Sequence, residues 1–204
     1  MPRSAYFTKE MIVDKALQLI REKGPDALSA RNLGKSLGCS ISPIFTMFDN
    51  MDDVCNAVEK AAQQILQDYI SDIGDYVPAL KEFGIRMIRF AREEKNLFHF
   101  LFLKNGKSSE AIIHPMALRC LKDIAAVNGL TPEQSERLFQ HIWVFDAGLA
   151  MFSAGKPDFY TDDVISEMLS FNFSSALSFI KSGKEVVNHK PHLRKDGEPS
   201  SLKI

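Results

Sequence analysis

Apolar residues recur at three- and four-residue intervals along most of the chain, with no alternating strand pattern, so the pattern predicts an all-α fold. Ile12, Val13, Ala16, Leu17 and Ile20 share one face of a first helix. Thr8 is placed to cap that helix, Phe7 and Ile12 to staple its start, and Gly24-Pro25 to end it. A short second helix follows Ser29, which can cap it, with Leu28 and Leu33 as a second staple. Gly38 stops it, and after the Gly38-Cys39-Ser40 turn Ser40 is placed to cap a third short helix. Pro43 falls in that helix's first turn, where a missing N–H costs nothing. Asn50 opens a fourth helix, with Asp52 and Asp53 near the positive end of its dipole. Val54, Ala57, Val58, Ala61, Ile65 and Tyr69 carry it toward residue 73.

Helical spacing continues beyond a break at Gly74 and Pro78. A helix is predicted from about 78 to 94, with Phe83, Met87, Phe90 and Ala91 inward. Asn96 is placed to cap the run Leu97–Leu103, which is apolar on every side except His99 and therefore expected to be buried. After a turn at Asn105-Gly106-Lys107, a helix from about 109 to 128 ends at Gly129. Thr131-Pro132-Glu133-Gln134 carries cap, first-position proline and the reciprocal Gln of a capping box, opening a helix to about Ala154. A last helix runs from about Thr161 to Lys181. These two helices carry more apolar surface than one side needs, which predicts a partner across them. Residues 183–204 are polar, with Pro191 and Pro199, and read as a loose tail.

The short pair joined by a three-residue turn, backed by the first helix, is the layout of a DNA-reading helix-turn-helix. On the second helix of the pair Ser40, Ser42 and Thr46 can reach phosphates or base edges, and Ile41 and Pro43 can contact thymine methyls. Phe48 reads as core, while Phe45 reads equally as core or as a DNA contact.

The succession Ala16-Leu17, Leu19-Ile20, Gly24, Leu28-Ser29, Arg31, Leu33-Gly34, Leu37-Gly38-Cys39-Ser40, Ile44-Phe45, Phe48 and Met51-Asp52-Asp53 resembles the N-terminal domain of the TetR/AcrR family of bacterial transcriptional regulators. The resemblance covers residues 8 to 56; beyond them it extends to length and helical layout. It implies a homodimeric, repressor-like, cytoplasmic regulator. An N-terminal helix-turn-helix domain (1–50) would read a palindromic double-stranded operator. A helical effector-binding and dimerisation domain (51–182) would release it when a small molecule enters, and 183–204 would be the tail. In the family the last two helices pair with their copies as a four-helix bundle. The DNA-contacting positions carried over are Ser29, Arg31, Lys35, Ser40, Ile41, Ser42, Pro43, Phe45, Thr46 and Met47. The chain departs from the family where Phe45 replaces the usual Tyr and Met51 the usual Lys, and where Thr46-Met47 stand in place of a basic or aromatic residue or His.

Charge sharpens that departure. Residues 1–48 carry seven Lys and Arg against four Asp and Glu, a local net of +3 in a chain whose formal net charge is −1. Yet no Lys or Arg stands between Lys35 and Lys60, so phosphate neutralisation falls to Arg3, Lys9, Arg31 and Lys35. Two functional readings therefore stay open. One is a ligand-responsive DNA-binding repressor. The other is a dimeric helical sensor or interaction protein whose DNA reading has weakened or been lost.

The remaining chemistry is sparse. Cys39, Cys55 and Cys120 are widely spaced, suiting reduced thiols in a cytoplasm. No Cys/His cluster suggests a metal, no run is long enough to span a membrane, and no enzyme or cofactor signature is present. Phe83, Met87, Phe90, Phe102, Met116 and Trp143 are candidates to line a cavity for a hydrophobic or aromatic effector. His99, His114 and His141 are its candidate polar anchors.

Overall fold

The computed structural model describes residues 7–73, 78–104 and 120–184, and every regular element among them is helical. The first helix, α1 (Lys9–Lys23), starts where the Thr8 side chain accepts from the Met11 N–H. A single helical turn, Pro25–Ala27, leads to α2 (Ala30–Leu37) and α3 (Ser42–Met47). The long α4 (Met51–Ile70) begins at Asn50, whose side chain accepts from the Asp53 N–H at 2.9 Å. Then come α5 (Ala79–Glu93) and α6 (Lys95–His99), the latter widening into a π-helical turn at Phe100–Lys104. Residues 120–128 form the described part of α7. Beyond it lie α8 (Pro132–Gly155), opened by the expected capping box, and α9 (Asp162–Lys181), capped by Thr161.

Two expected caps are not formed. Ile41, itself in helical conformation, precedes α3, and no side chain caps that helix. The entry into α3 is instead fixed by Pro43 and by the Ile41 carbonyl, which accepts from Ile44 and Phe45 N–H. Nor does Asn96 cap the apolar run, because α6 begins one residue earlier and puts Asn96 inside its first turn. Its amide donates instead to the Arg21 carbonyl at 2.7 Å, satisfying a backbone oxygen at the end of α1.

One continuous core joins both halves of the chain. Ile12, Ala16, Leu17 and Ile20 of α1 meet Leu33, Ile44 and Phe48, and α4 continues the core through Val54, Val58, Ala62, Leu66 and Ile70. From there it passes into α5, α6, α8 and α9. Polar ties fix the junction. Arg21 grips Glu94 with two donors, at 2.7 and 2.9 Å, and Lys104 bonds the Pro25 carbonyl at 2.9 Å and Asp26 at 3.1 Å. At the end of α5, Arg92 binds Asp162 and the Tyr160 carbonyl, both at 2.6 Å, anchoring the start of α9. Helix α5 is thereby pinned at its C-terminal end to both α1 and α9.

The apolar run after Glu94 is only partly buried: Leu97, Phe98, Phe100 and Leu101 are inside, but Leu103 is half-exposed and His99 faces outward. On α8 and α9 the excess apolar surface is plain, with Val144, Phe152 and Phe171 each about 70% exposed and Met151 and Phe179 also open.

Candidate DNA-reading surface and effector cavity

The helix-turn-helix is assembled by backbone approach. Gly38 adopts the left-handed conformation at φ 69°, and the Cys39 N–H reaches back to the Gly34 carbonyl at 3.0 Å. A Cβ at Gly34 would stand 3.2 Å from the Cys39 carbonyl, so the turn packs onto α2 at a distance that suits a residue without a side chain. Ile44 then buries completely while Ile41, Ser42, Phe45 and Thr46 turn outward, leaving one open face on α3.

The candidate contact residues fall into distinct environments. Arg31 and Lys35 are exposed on α2, one turn apart, and Ser40 is exposed in the turn. Ile41 and Phe45 are 47% and 39% exposed, which suits contact more than core for Phe45, whereas Phe48 is buried as expected. Pro43 and Met47 are half-buried. The Ser29 hydroxyl is engaged as the cap of α2, accepting from Asn32 N–H, and the Thr46 hydroxyl donates to the Ser42 carbonyl at 3.0 Å. Thr46 therefore meets a ligand as an acceptor unless that bond is exchanged. Arg3 lies outside the described residues.

The electrostatics are mixed. Lys9 sits over the Phe48 ring at 5.2 Å, beside a groove that also holds Asp49, Asp53 and Lys60. Between Lys35 and Lys60 the charges are Asp49, Asp52, Asp53 and Glu59, all acidic. Among the described residues up to Lys60, positive charge is thus carried by α1, α2 and Lys60 itself.

The residues expected to line an effector cavity mostly make a packed aromatic cluster. Phe83, Met87 and Phe90 are fully buried. The Trp143 ring lies 5.9 Å from Phe83 and 6.3 Å from Phe102, which stacks in turn on Phe98 at 4.8 Å. Met116 and His114 fall outside the described residues, and both His99 and His141 face outward, so neither is a buried anchor here.

A cavity of about 170 Å³ lies nearby, between the start of α5 and the middles of α8 and α9. Leu80, Ile142, Leu169 and Phe173 make it largely apolar, and Asp146 is set into its wall. Asp146 is 1% exposed, and its Oδ1 has no hydrogen-bond partner among the described residues. Burial pushes its carboxyl up to about 8. Asp146 is absent from the candidates that the sequence suggests. Its one signal there is position: it lies four residues after Ile142 and three before Leu149, on the inward face of α8.

Among the described residues no cluster of three His, Cys, Asp or Glu side chains could hold a metal ion, and no helix is long and apolar enough to cross a membrane.

Residues 12–58 match the family described as bacterial regulatory proteins, tetR family. No curated protein matches the chain. Among solved structures, a transcriptional regulator from a Rhodococcus species is similar over 89% of this chain and all of its own, with TM-score 0.62 and 19% identity. A TetR variant from Acinetobacter baumannii, in complex with minocycline, covers 91% of this chain and 100% of its own, at TM-score 0.58 and 14% identity. FadR of Thermus thermophilus, a TetR-family repressor in complex with lauroyl-CoA, covers 92% and 100%, at TM-score 0.52 and 15% identity. Residues 12–58 thus form a helix-turn-helix domain of the tetR family of bacterial regulatory proteins, and the chain shares the all-helical fold of the transcriptional regulators above.

Proposed function

We propose that the protein is a homodimeric, ligand-responsive transcriptional repressor acting in the cytoplasm, with residues 1–50 reading DNA and residues 51–182 binding effector and pairing with a second copy. The observation that carries this reading is the open face of α3, where Ile41, Ser42, Phe45 and Thr46 stand outward over a buried Ile44. Arg31 and Lys35 supply phosphate contacts from α2, and the α3 face supplies base contacts and methyl packing. Two copies joined through α8 and α9 would present two α3 helices to one duplex. That symmetry demands a palindromic operator with half-sites about one helical turn, or a multiple, apart.

The route for release runs along α5. Its first turn lines the Asp146 cavity, and its end holds Glu94, which grips Arg21 of α1. An effector that binds better to the arrangement with displaced α5 would shift the reading heads by that route. The complexes of two structures of this fold with minocycline and with lauroyl-CoA support a response to a small molecule.

Selection of bound sequences from a randomised duplex pool tests the proposal. The expected result is an inverted repeat with the half-site spacing given above. Recovery of no preferred sequence would overturn it and favour the second reading, a dimeric helical sensor without operator recognition. The acidic stretch between Lys35 and Lys60 is the observation that keeps this second reading in play.

A further inference from the structure

From Asp146 and the apolar walls around it, we propose that the effector is a small aromatic or alicyclic amine whose ammonium group pairs with the Asp146 carboxylate. This deepens the regulator reading and rests on it for the word effector, although the binding site stands independently. Three features of the geometry carry it. The carboxyl is all but completely buried with one oxygen unpartnered, and it forms part of a cavity wall that is otherwise mostly hydrocarbon. Such a group is costly unless something arrives to pair with it. Space is made for it: a Cβ at Gly84 would stand 2.8 Å from Asp146 Oδ2, so α5 carries no side chain where the carboxyl sits. The volume, about 170 Å³, is close to that of engineered cavities that hold one benzene ring. That space matches one ring with a short aminoalkyl arm.

Among the described residues, the other ionisable group lining the cavity is Lys81 on α5, half-buried and with no ion pair to Asp146. From α9 come Ser170 and Ser174, and the Ser170 hydroxyl is already donated to the Ser166 carbonyl. Among the described residues, therefore, no side chain lining the cavity is paired with the Asp146 carboxylate. The empty site keeps its proton at neutral pH because burial raises Asp146 to about 8. Pairing with an ammonium ion needs the ionised form, so the proton leaves to solvent as the amine enters. Amine affinity must then rise with pH, by up to about tenfold per unit between pH 6 and pH 8.

The test uses the full chain without DNA and three probes of matched size: phenethylamine, 2-phenylethanol and 3-phenylpropionate. Calorimetry or ligand-observed NMR reads the affinities of wild type, Asp146→Asn and Lys81→Met at pH 6, 7 and 8. The expected order is amine over alcohol by about tenfold or more at pH 8, with the acid weakest. The amine preference should collapse in Asp146→Asn and persist in Lys81→Met. Affinity for the alcohol should stay flat with pH. Equal binding of amine and alcohol, preference for the acid, or a pH-independent amine affinity would overturn the inference. If Asp146→Asn does not fold, the pH slope of the wild type decides alone. Since DNA is absent, failure here is separable from failure of the regulator reading. A chain that selects an operator yet shows no amine preference loses only this inference. One that binds amine through Asp146 yet reads no DNA loses only the regulator.

Discussion

Replacing Phe152 with Ser isolates the pairing of two copies from the folding of one. Phe152 is 71% exposed on α8, so its ring contributes little to the core of a single chain. A phenylalanine has about 200 Å² to bury, which leaves about 140 Å² wet here. At about 25 cal/mol per Å², covering that area is worth up to about 3.5 kcal/mol per ring, and a symmetric dimer covers two. Area overstates affinity, because ordering and imperfect desolvation take back a large share. A loss of about 3 kcal/mol per dimer, or on the order of 100-fold in dissociation constant, is therefore expected. Sedimentation velocity from nanomolar to micromolar concentration measures it. Wild type should sediment as twice 22.9 kDa, and Phe152→Ser should dissociate at correspondingly higher concentration, with the same melting temperature as wild type only at dilutions where both are monomeric. A wild-type monomer at micromolar concentration, or an equally tight Phe152→Ser dimer, would refute the reasoning. A large loss of monomer stability would refute the claim that the ring faces outward.

Asn50→Ala removes the 2.9 Å cap of α4 and should cost about 1 kcal/mol, read as a fall of about 2–4 °C in melting temperature. Ile44→Ala empties a fully buried site at the centre of the reading domain and should cost about 2–5 kcal/mol, abolishing DNA binding by unfolding that domain in denaturant curves. Asp146 makes stability fall as pH rises. Its folded pKa, about 8, lies above the ordinary carboxylate value, so the unfolded chain ionises first and stability is lost between about pH 4 and pH 8. Asp146→Asn should remove that slope, giving a melting-temperature advantage that grows from pH 5 to pH 8; a pH-independent difference would contradict it.

Helix starts and stops are legible in the sequence because they depend on neighbouring residues alone. Thr8, Ser29, Asn50 and Thr131 all cap the helices that their positions imply. Ser40 and Asn96 fail where other contacts compete. The chain enters α3 already helical at Ile41, and Asn96 is drawn to the Arg21 carbonyl on another helix. The helix-turn-helix is legible for the same local reason, and its outward face follows from the burial of Ile44 and Phe48. The cavity is not legible. Periodicity identifies which residues face inward, but whether they meet a partner or leave space depends on how α5, α8 and α9 cross. Phe83 and Trp143 close on each other, while Leu80, Ile142 and Phe173 enclose a gap. Aromatics and histidines therefore stand out along the chain, and one aspartate at an apolar position does not.

Salt dependence of DNA binding by the dimer tests the central assignment most directly. The association constant for a duplex carrying the selected repeat should fall linearly on a log–log plot against salt concentration. Arg31→Ala should weaken binding to every sequence and reduce the slope by about one unit for each phosphate it leaves without a cation. Ser42→Ala should leave the slope unchanged and alter preference among half-site bases. A slope near zero in wild type, or Arg31→Ala and Ser42→Ala proteins that are folded, dimeric and unaltered in affinity, slope and preference, would contradict the assignment of DNA reading to α2 and α3.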